Sequence, residues 1–299
     1  MTNSVRVRAP GKVNLYLAVG ARESDGYHPL ATVFQAVDLF EDVTATTSDR
    51  LELTMTGRAA GLPTDESNLA IRAANLLAAH AGIEPRARLE IHKRIPVAGG
   101  MAGGSADAAG TLVALDRLWG LDLEPAALLS LGARLGADVP FCLMGGTAMG
   151  LGRGDALTPL LSRGSYIWLL ITQRVGLSTP RVFAAFDATP GPPPEPPAVE
   201  ERFARALAEG DTTYVVMNSR NDLAAPALTL HAGARQVFEA CAHLALPAIL
   251  SGSGPTIAVL CPDGETATSL GRYFREHTTA DSCLAAHGPV CGAHVVDET

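Results

Sequence analysis

Pro96-Val97-Ala98-Gly99-Gly100-Met101-Ala102-Gly103-Gly104-Ser105-Ala106-Asp107-Ala108-Ala109 is the stretch that decides how this chain is read. Four glycines fall within six residues and lead straight into an alanine-rich segment with helical apolar spacing. Glycine lets backbone N–H groups turn inward and come close to a ligand. A helix start adds unpaired N–H groups and the positive end of the helix dipole. Together these features make an anion site, and phosphate is the usual anion in such a place. A plain strand-to-helix connection would carry the same glycines.

Spacing excludes the better-known phosphate loops. Gly99 and Gly104 stand at Walker A distance, but Ser105 takes the place of the lysine that loop requires. The dinucleotide fingerprint needs a third glycine, which both Gly252-Ser253-Gly254 and Gly150-Leu151-Gly152 lack. The His-Arg-Asp and Asp-Phe-Gly signatures of protein kinases are absent.

The chain has 299 residues, 47 % hydrophobic and 18 % charged. That is a globular composition with room for two domains. The net charge is −8 and there is no long basic run, which disfavours nucleic-acid binding. The short spot His92-Lys93-Arg94 could meet a small polyphosphate or be a solvated strand end. Five widely spaced cysteines without a Cys-x-x-Cys pair fit reduced thiols in a cytoplasm, not a disulfide framework or zinc site. The eight histidines show no metal-ligand spacing. His80, on an expected helix, reads as a packed or surface residue. Met1 to Arg8 contains no apolar signal segment. The longest aliphatic-aromatic run, Ile167 to Ile171, is too short to span a bilayer, so no membrane partner is expected.

Strict alternation predicts a strand at Val5–Ala9, and a second run follows at Asn14–Val19. A loop containing Asp25-Gly26-Tyr27-His28-Pro29 comes next. Strands are expected near Thr32–Val37, Asp42–Thr46, Leu51–Met55 and Ala87–Ile91. Helices are expected at Ser67–Ala81, Ser105–Trp119 and Pro125–Leu135, each with glycine next in the chain. After about residue 160 the pattern restarts. It gives strands at Tyr166–Thr172, Ala248–Leu250, Thr256–Leu260 and Ala293–Val296. It gives helices near Thr179–Phe186, Val199–Ala208, Leu230–His243 and Glu265–Glu276. Six prolines between Pro190 and Pro197 read as a mobile, polyproline-like loop.

Three other segments accompany the glycine-rich run: Pro10-Gly11-Lys12-Val13-Asn14, Gly136-Ala137-Asp138-Val139-Pro140 and Ser251-Gly252-Ser253-Gly254-Pro255. This set resembles that of the GHMP small-molecule kinases. With Asp25-Gly26-Tyr27-His28 and Asn221-Asp222-Leu223 added, the chain resembles the branch that acts on 4-diphosphocytidyl-2-C-methyl-D-erythritol. The resemblance runs from about residue 5 to residue 260, in the family's order. It implies an α+β, two-domain fold. Residues 1–160 would form an N-terminal ATP-binding α/β domain of the ribosomal protein S5 domain 2-like type. Residues 161–299 would form a ferredoxin-like α+β substrate-binding domain.

The implied reaction moves the γ-phosphate of ATP to the substrate's 2-hydroxyl, with Mg²⁺ carried on the nucleotide. By the same resemblance, Asp138 is the general base and Lys12 orients the hydroxyl and offsets developing charge. Taken alone, Asp138 would be a turn or cap residue and Lys12 a surface lysine. Pro96 through Ala106 are assigned to ATP, with Gly99 to Ser105 wrapping the triphosphate and Ser105 within reach of Mg²⁺ or a phosphate oxygen. Asn68 and Lys93 match positions near the adenine pocket. Asp107 either contacts the nucleotide or caps the helix. Asn14 would lie near the erythritol. Tyr27, His28 and Phe183 would hold the cytosine by stacking and edge contacts. Phe183 lies in the matching segment Ser178-Thr179-Pro180-Arg181-Val182-Phe183, which also places Thr179 at the substrate. By itself Phe183 would be a helix core residue. Partners are then small molecules only, with the protein a monomer or weak homodimer. The Pro190–Pro197 run is the one departure that no motif requires, and it bears on the rim of the second domain.

Overall fold

The computed structural model describes residues 3–189 and 197–299. The Pro190–Pro197 loop lies outside the described residues except for Pro197. Two long strands, β1 (Ser4–Val19) and β2 (Leu30–Thr46), form the antiparallel spine of the first sheet. Val5, Val7 and Ala9 face the core while Arg6 and Arg8 face outward, as their alternation predicts. The register of this pair shifts at Pro10/Gly11 and again between Asn14 and Tyr16. Such irregularities keep a strand continuous through a proline that cannot donate to the ladder. The sequence reading has two strands here, and the structure has one.

The other members of this sheet are β3 (Glu52–Gly57), β4 (Arg88–Lys93), β5 (Thr147–Gly152) and β6 (Ala156–Pro159). Helices α1 (Leu69–Ala81), α2 (Gly103–Leu118), α3 (Pro125–Leu135) and α4 (Val139–Met144) accompany them. Among the described strands only β3 and β4 pair in parallel, joined through α1. Helix α2 packs closely on the sheet because Gly110 has no Cβ; one there would lie 2.7 Å from Val43.

The second unit begins at β7 (Tyr166–Thr172) and continues through α5 (Thr179–Asp187), α6 (Glu201–Glu209), α7 (Thr212–Met217), α8 (Ala224–Leu230) and α9 (Ala232–His243). Then follow β8 (Ala248–Leu250), β9 (Ile257–Cys261), α10 (Gly264–His277) and β10 (Ser282–Gly288). The sheet order is β10-β7-β9-β8, antiparallel throughout. Within this unit that is fourth-first-third-second, the ferredoxin-like arrangement. The last strand, β11 (His294–Glu298), returns to the first sheet beside β1. The two sheets are also tied by Trp168, whose Nε1 donates to Gln35 Oε1 at 3.0 Å.

The β5–β6 hairpin, β10, α4, α7 and α8 were not foreseen from sequence. Helix α2 starts at Gly103, so Gly103 and Gly104 form its first turn and do not merely precede it.

Candidate active site

A cleft with two arms opens between the sheets. The narrower arm, about 290 Å³, is lined by Lys12, Asn14, the glycine-rich loop, Gly252 and Ser253. The wider arm, about 740 Å³, is lined by Tyr27, His28, Ser105, the end of α3 and α5. Asp138, Arg153, Thr179, Phe183 and Leu30 belong to both.

The glycine-rich loop is strained and open at once. Ala98, Gly100 and Ala102 all have positive φ, and Ala102 is the N-cap of α2 without a side-chain hydrogen bond. No side chain therefore blocks the N-terminal N–H groups of this helix, which suits an anion. The glycines differ in what demands them. A Cβ on Gly100 would stand 2.0 Å from the carbonyl of Ser251. One on Gly104 would meet nothing closer than Leu69 at 3.5 Å. Gly100 is required by the protein itself. Gly104 leaves space that only a ligand would use. Pro96, Ala98, Gly99, Ala102 and Gly103 line the narrow arm with them. Val97 is exposed at the surface, while Met101 and Ala106 are buried in the core and anchor the loop from below.

Lys12 and Asn14 are two apart on β1, so both face the cleft. Lys12 Nζ donates to Asn14 Oδ1 and to the carbonyl of Gly100, each at 2.6 Å. Asn14 Nδ2 donates to Thr32 Oγ1 at 2.8 Å, which fixes the amide with its oxygen toward the lysine. Ser251 Oγ also donates to Gly100 O, at 3.0 Å, tying the 251–255 turn to the loop. Asn221 holds that turn through the carbonyls of Leu250 and Gly252. Burial pushes the Lys12 pKa down from its ordinary value, and the nearby Asp138 charge opposes the shift. Lys12 and Asp138 feel each other but form no ion pair. Asp138 stands at the N-cap of α4, yet its side chain makes no capping hydrogen bond. The carboxylate is free, where the two arms meet.

Lys93 and Asp107 are placed differently. Lys93 Nζ lies 2.6 Å from Glu41 Oε1 and 2.7 Å from Asp107 Oδ2, and donates to the carbonyl of Gly103 at 3.2 Å. All three charged side chains are buried. Glu41 also accepts the N–H groups of Arg94 and Ile95. Burial raises the Asp107 pKa to about 7, with Lys93 opposing and Glu41 adding to the rise. This triad braces the loop from beneath, and neither Lys93 nor Asp107 lines the cleft. Asn68 is likewise engaged, capping α1 through Ala70 N and donating to Pro63 O.

At the wide end, Tyr27 is 54 % exposed and the Arg153 guanidinium sits 3.8 Å from its ring centroid. His28 stacks on Phe183 with ring centroids 5.2 Å apart. Its Nδ1 meets Gly20 O at 2.9 Å and its Nε2 meets Asp187 Oδ1 at 3.2 Å. Both ring nitrogens are thus committed to protein groups. That leaves the ring plane and backbone of His28, not a free edge, for an incoming base. Thr179 Oγ1 hydrogen-bonds Ser253 Oγ at 2.8 Å across the cleft floor. Sequence reasoning missed Glu41, Arg153, Thr32 and Asp187. Only Arg153, flanked by two glycines in a turn, left any local signal.

Residues 68–146 match the family description "GHMP kinases N terminal domain". The chain is 48 % identical to a 4-diphosphocytidyl-2-C-methyl-D-erythritol kinase of Mycolicibacterium paratuberculosis, covering 99 % of this chain and 94 % of that one. It belongs to the GHMP kinase family. Among solved structures, a 4-(cytidine 5'-diphospho)-2C-methyl-D-erythritol kinase superposes on this GHMP kinase with TM-score 0.75 and 31 % identity, covering 95 % of this chain and 99 % of the other. A homoserine kinase from Cytophaga hutchinsonii superposes with TM-score 0.72 at 22 % identity, covering 99 % and 98 %, a likeness of fold. Among the described residues of this GHMP kinase, no cluster of three metal-ligating side chains occurs, and no helix is long and apolar enough to cross a membrane.

Proposed function

We infer that the protein transfers the γ-phosphate of ATP to the 2-hydroxyl of 4-diphosphocytidyl-2-C-methyl-D-erythritol, giving the 2-phosphate and ADP in the non-mevalonate route to isoprenoid precursors. The observation that carries the reading is the free Asp138 carboxylate at the junction of the two arms. A tertiary alcohol is a poor nucleophile and must lose its proton as the phosphoryl group moves. In our reading Asp138 accepts that proton as the new O–P bond forms and ADP departs. Lys12, held in place by Asn14 and Gly100, orients the hydroxyl and offsets the charge that develops on the transferring group. The open N-terminus of α2 and the space above Gly104 receive the triphosphate. Mg²⁺ would spread the phosphate charge, held chiefly by ATP, with the Ser105 hydroxyl as the side chain able to join it.

The wide arm suits the cytidine, with Tyr27 and Phe183 as its stacking faces and His28 as a wall. We take residues 1–160 as the nucleotide domain and 161–299 as the substrate domain, with β11 at the end of the latter crossing back to complete the nucleotide domain's sheet. The five cysteines are all unpaired, which supports a reducing, cytoplasmic setting. We take the enzyme as a monomer or weak homodimer. ATP turnover should appear only when the cytidine-diphosphate methylerythritol is supplied. Turnover with homoserine and none with the cytidine compound would overturn the reading.

A further inference from the structure

The substrate of the proposed function carries a diphosphate between its base and its polyol. The aromatic residues stand in the wide arm and Asp138 at its inner end, so the diphosphate has to lie between them. The walls there carry three carboxylates, Asp138, Asp155 and Asp187. A diphosphate entering beside them needs a cation. Three arginines line the same arm: Arg22, Arg134 and Arg153. Arg22 is already engaged: its Nε donates to Gly26 O at 3.1 Å and its guanidinium lies 3.8 Å from Asp187. Arg134, near the end of α3, lines only the wide arm. Arg153 alone of the three lines both arms.

Arg153 stands in the turn between β5 and β6. Its guanidinium covers one face of Tyr27 and pairs with Asp25 Oδ2 at 3.1 Å. Its side chain remains 53 % exposed. Asp25 in turn accepts the N–H of Tyr27 at 3.0 Å. The contacts of Arg153 are therefore solvent-exposed and individually weak. A guanidinium held this way is already oriented by an aromatic plane, and its fork of N–H groups can turn to two phosphate oxygens at little cost.

We propose that Arg153 binds the diphosphate of the nucleoside-diphosphate substrate, linking the base pocket at Tyr27 to the reacting hydroxyl at Asp138. The proposal rests on the function inferred above. Cytidine, cytidine monophosphate and cytidine diphosphate serve as probes, each measured as a competitor of the cytidine substrate. Wild type and the Arg153→Gln and Arg153→Lys variants are compared, together with KM for ATP. Wild type should bind the diphosphate more tightly than cytidine. Arg153→Gln should lose roughly ten- to a hundredfold of that preference, the scale of a charge-assisted hydrogen bond, and leave cytidine and ATP within about twofold. Arg153→Lys should keep part of it, because the charge remains and the fork is lost. Equal weakening of cytidine and its diphosphate would make Arg153 only a brace for Tyr27 and overturn the proposal. So would an unchanged preference in Arg153→Gln. A wild-type protein indifferent to every cytidine compound would instead overturn the functional reading, and the proposal with it.

Discussion

Two lysine–aspartate pairs flank the glycine-rich loop, and they are opposites. Lys93 and Asp107 close to 2.7 Å, buried, with Glu41 as a third member. Lys12 and Asp138 do not close. Lys12 is buried but spends its hydrogen bonds on Asn14 and Gly100, and Asp138 keeps its carboxylate uncommitted. In the closed pair the lysine is fully taken up by Glu41, Asp107 and the Gly103 carbonyl, and it serves to fix the backbone above it. A pair held apart by other partners leaves room for a reacting group between its members. The same two residue types thus build the floor of the site in one case and its chemistry in the other.

The closed pair should be indispensable to the fold. Lys93→Met leaves two buried carboxylates without a cation. It should cost about 3–5 kcal/mol of unfolding free energy, or abolish soluble expression. Denaturant titration checks this, and a stability near wild type would mean the triad is solvated.

The two glycine types should separate folding from ligand binding. Gly100→Ala should impair folding, because its Cβ would meet the Ser251 carbonyl from a left-handed backbone position. Gly104→Val should keep the fold and lose ATP binding, since its side chain would fill space that no protein atom occupies. Thermal unfolding together with calorimetry on an ATP analogue separates the two. ATP affinity unchanged in Gly104→Val would make the loop a connector.

A smaller effect is expected at the open end of the cleft. Tyr27→Ala and Phe183→Ala should each weaken the cytidine substrate by about 1–3 kcal/mol and spare ATP, as loss of a stacking face does. KM for both substrates is the readout, and a fall in ATP affinity instead would misplace the base pocket.

The smallest effect concerns pH. The folded-state pKa of Asp107 is raised to about 7, above its unfolded value. Its contribution to stability is therefore full at acid pH and is lost as pH rises through about 7. Wild type should lose stability from this group as pH rises from about 4 to about 7, and Asp107→Asn should lose less over that window. Parallel pH profiles of unfolding free energy would contradict the assignment.

Much of the scaffold was legible from local pattern. The bounds of α3 and β7 coincide with those expected, because proline and glycine bracket the first and an unbroken apolar run defines the second. Strands β5 and β10 were not legible. The first is interrupted by Gly150 and Gly152, and the second contains Ala285 and Ala286 with little β-forming character. Their pairing comes from β2 and β7, far away in the chain. The glycine-rich loop, Lys12 and Asp138 could be found as motifs. Glu41 could not, because nothing near it in sequence marks it as a partner of Lys93. Nor could the burial of Lys93 be read from the basic spot His92-Lys93-Arg94: Lys93 is buried while His92 and Arg94 stay at the surface. His28 lines the wide arm, but the partners of its ring nitrogens, Gly20 and Asp187, are set by tertiary structure alone.

The role of Asp138 is tested most directly by Asp138→Asn. Turnover at saturating substrates should fall roughly 10²–10⁴-fold, the range for loss of a general base. ATP affinity and unfolding free energy should remain near wild type, because the carboxylate caps no helix and closes no ion pair. Turnover equal to wild type would contradict a base role and leave Asp138 as only the N-cap position of a short helix.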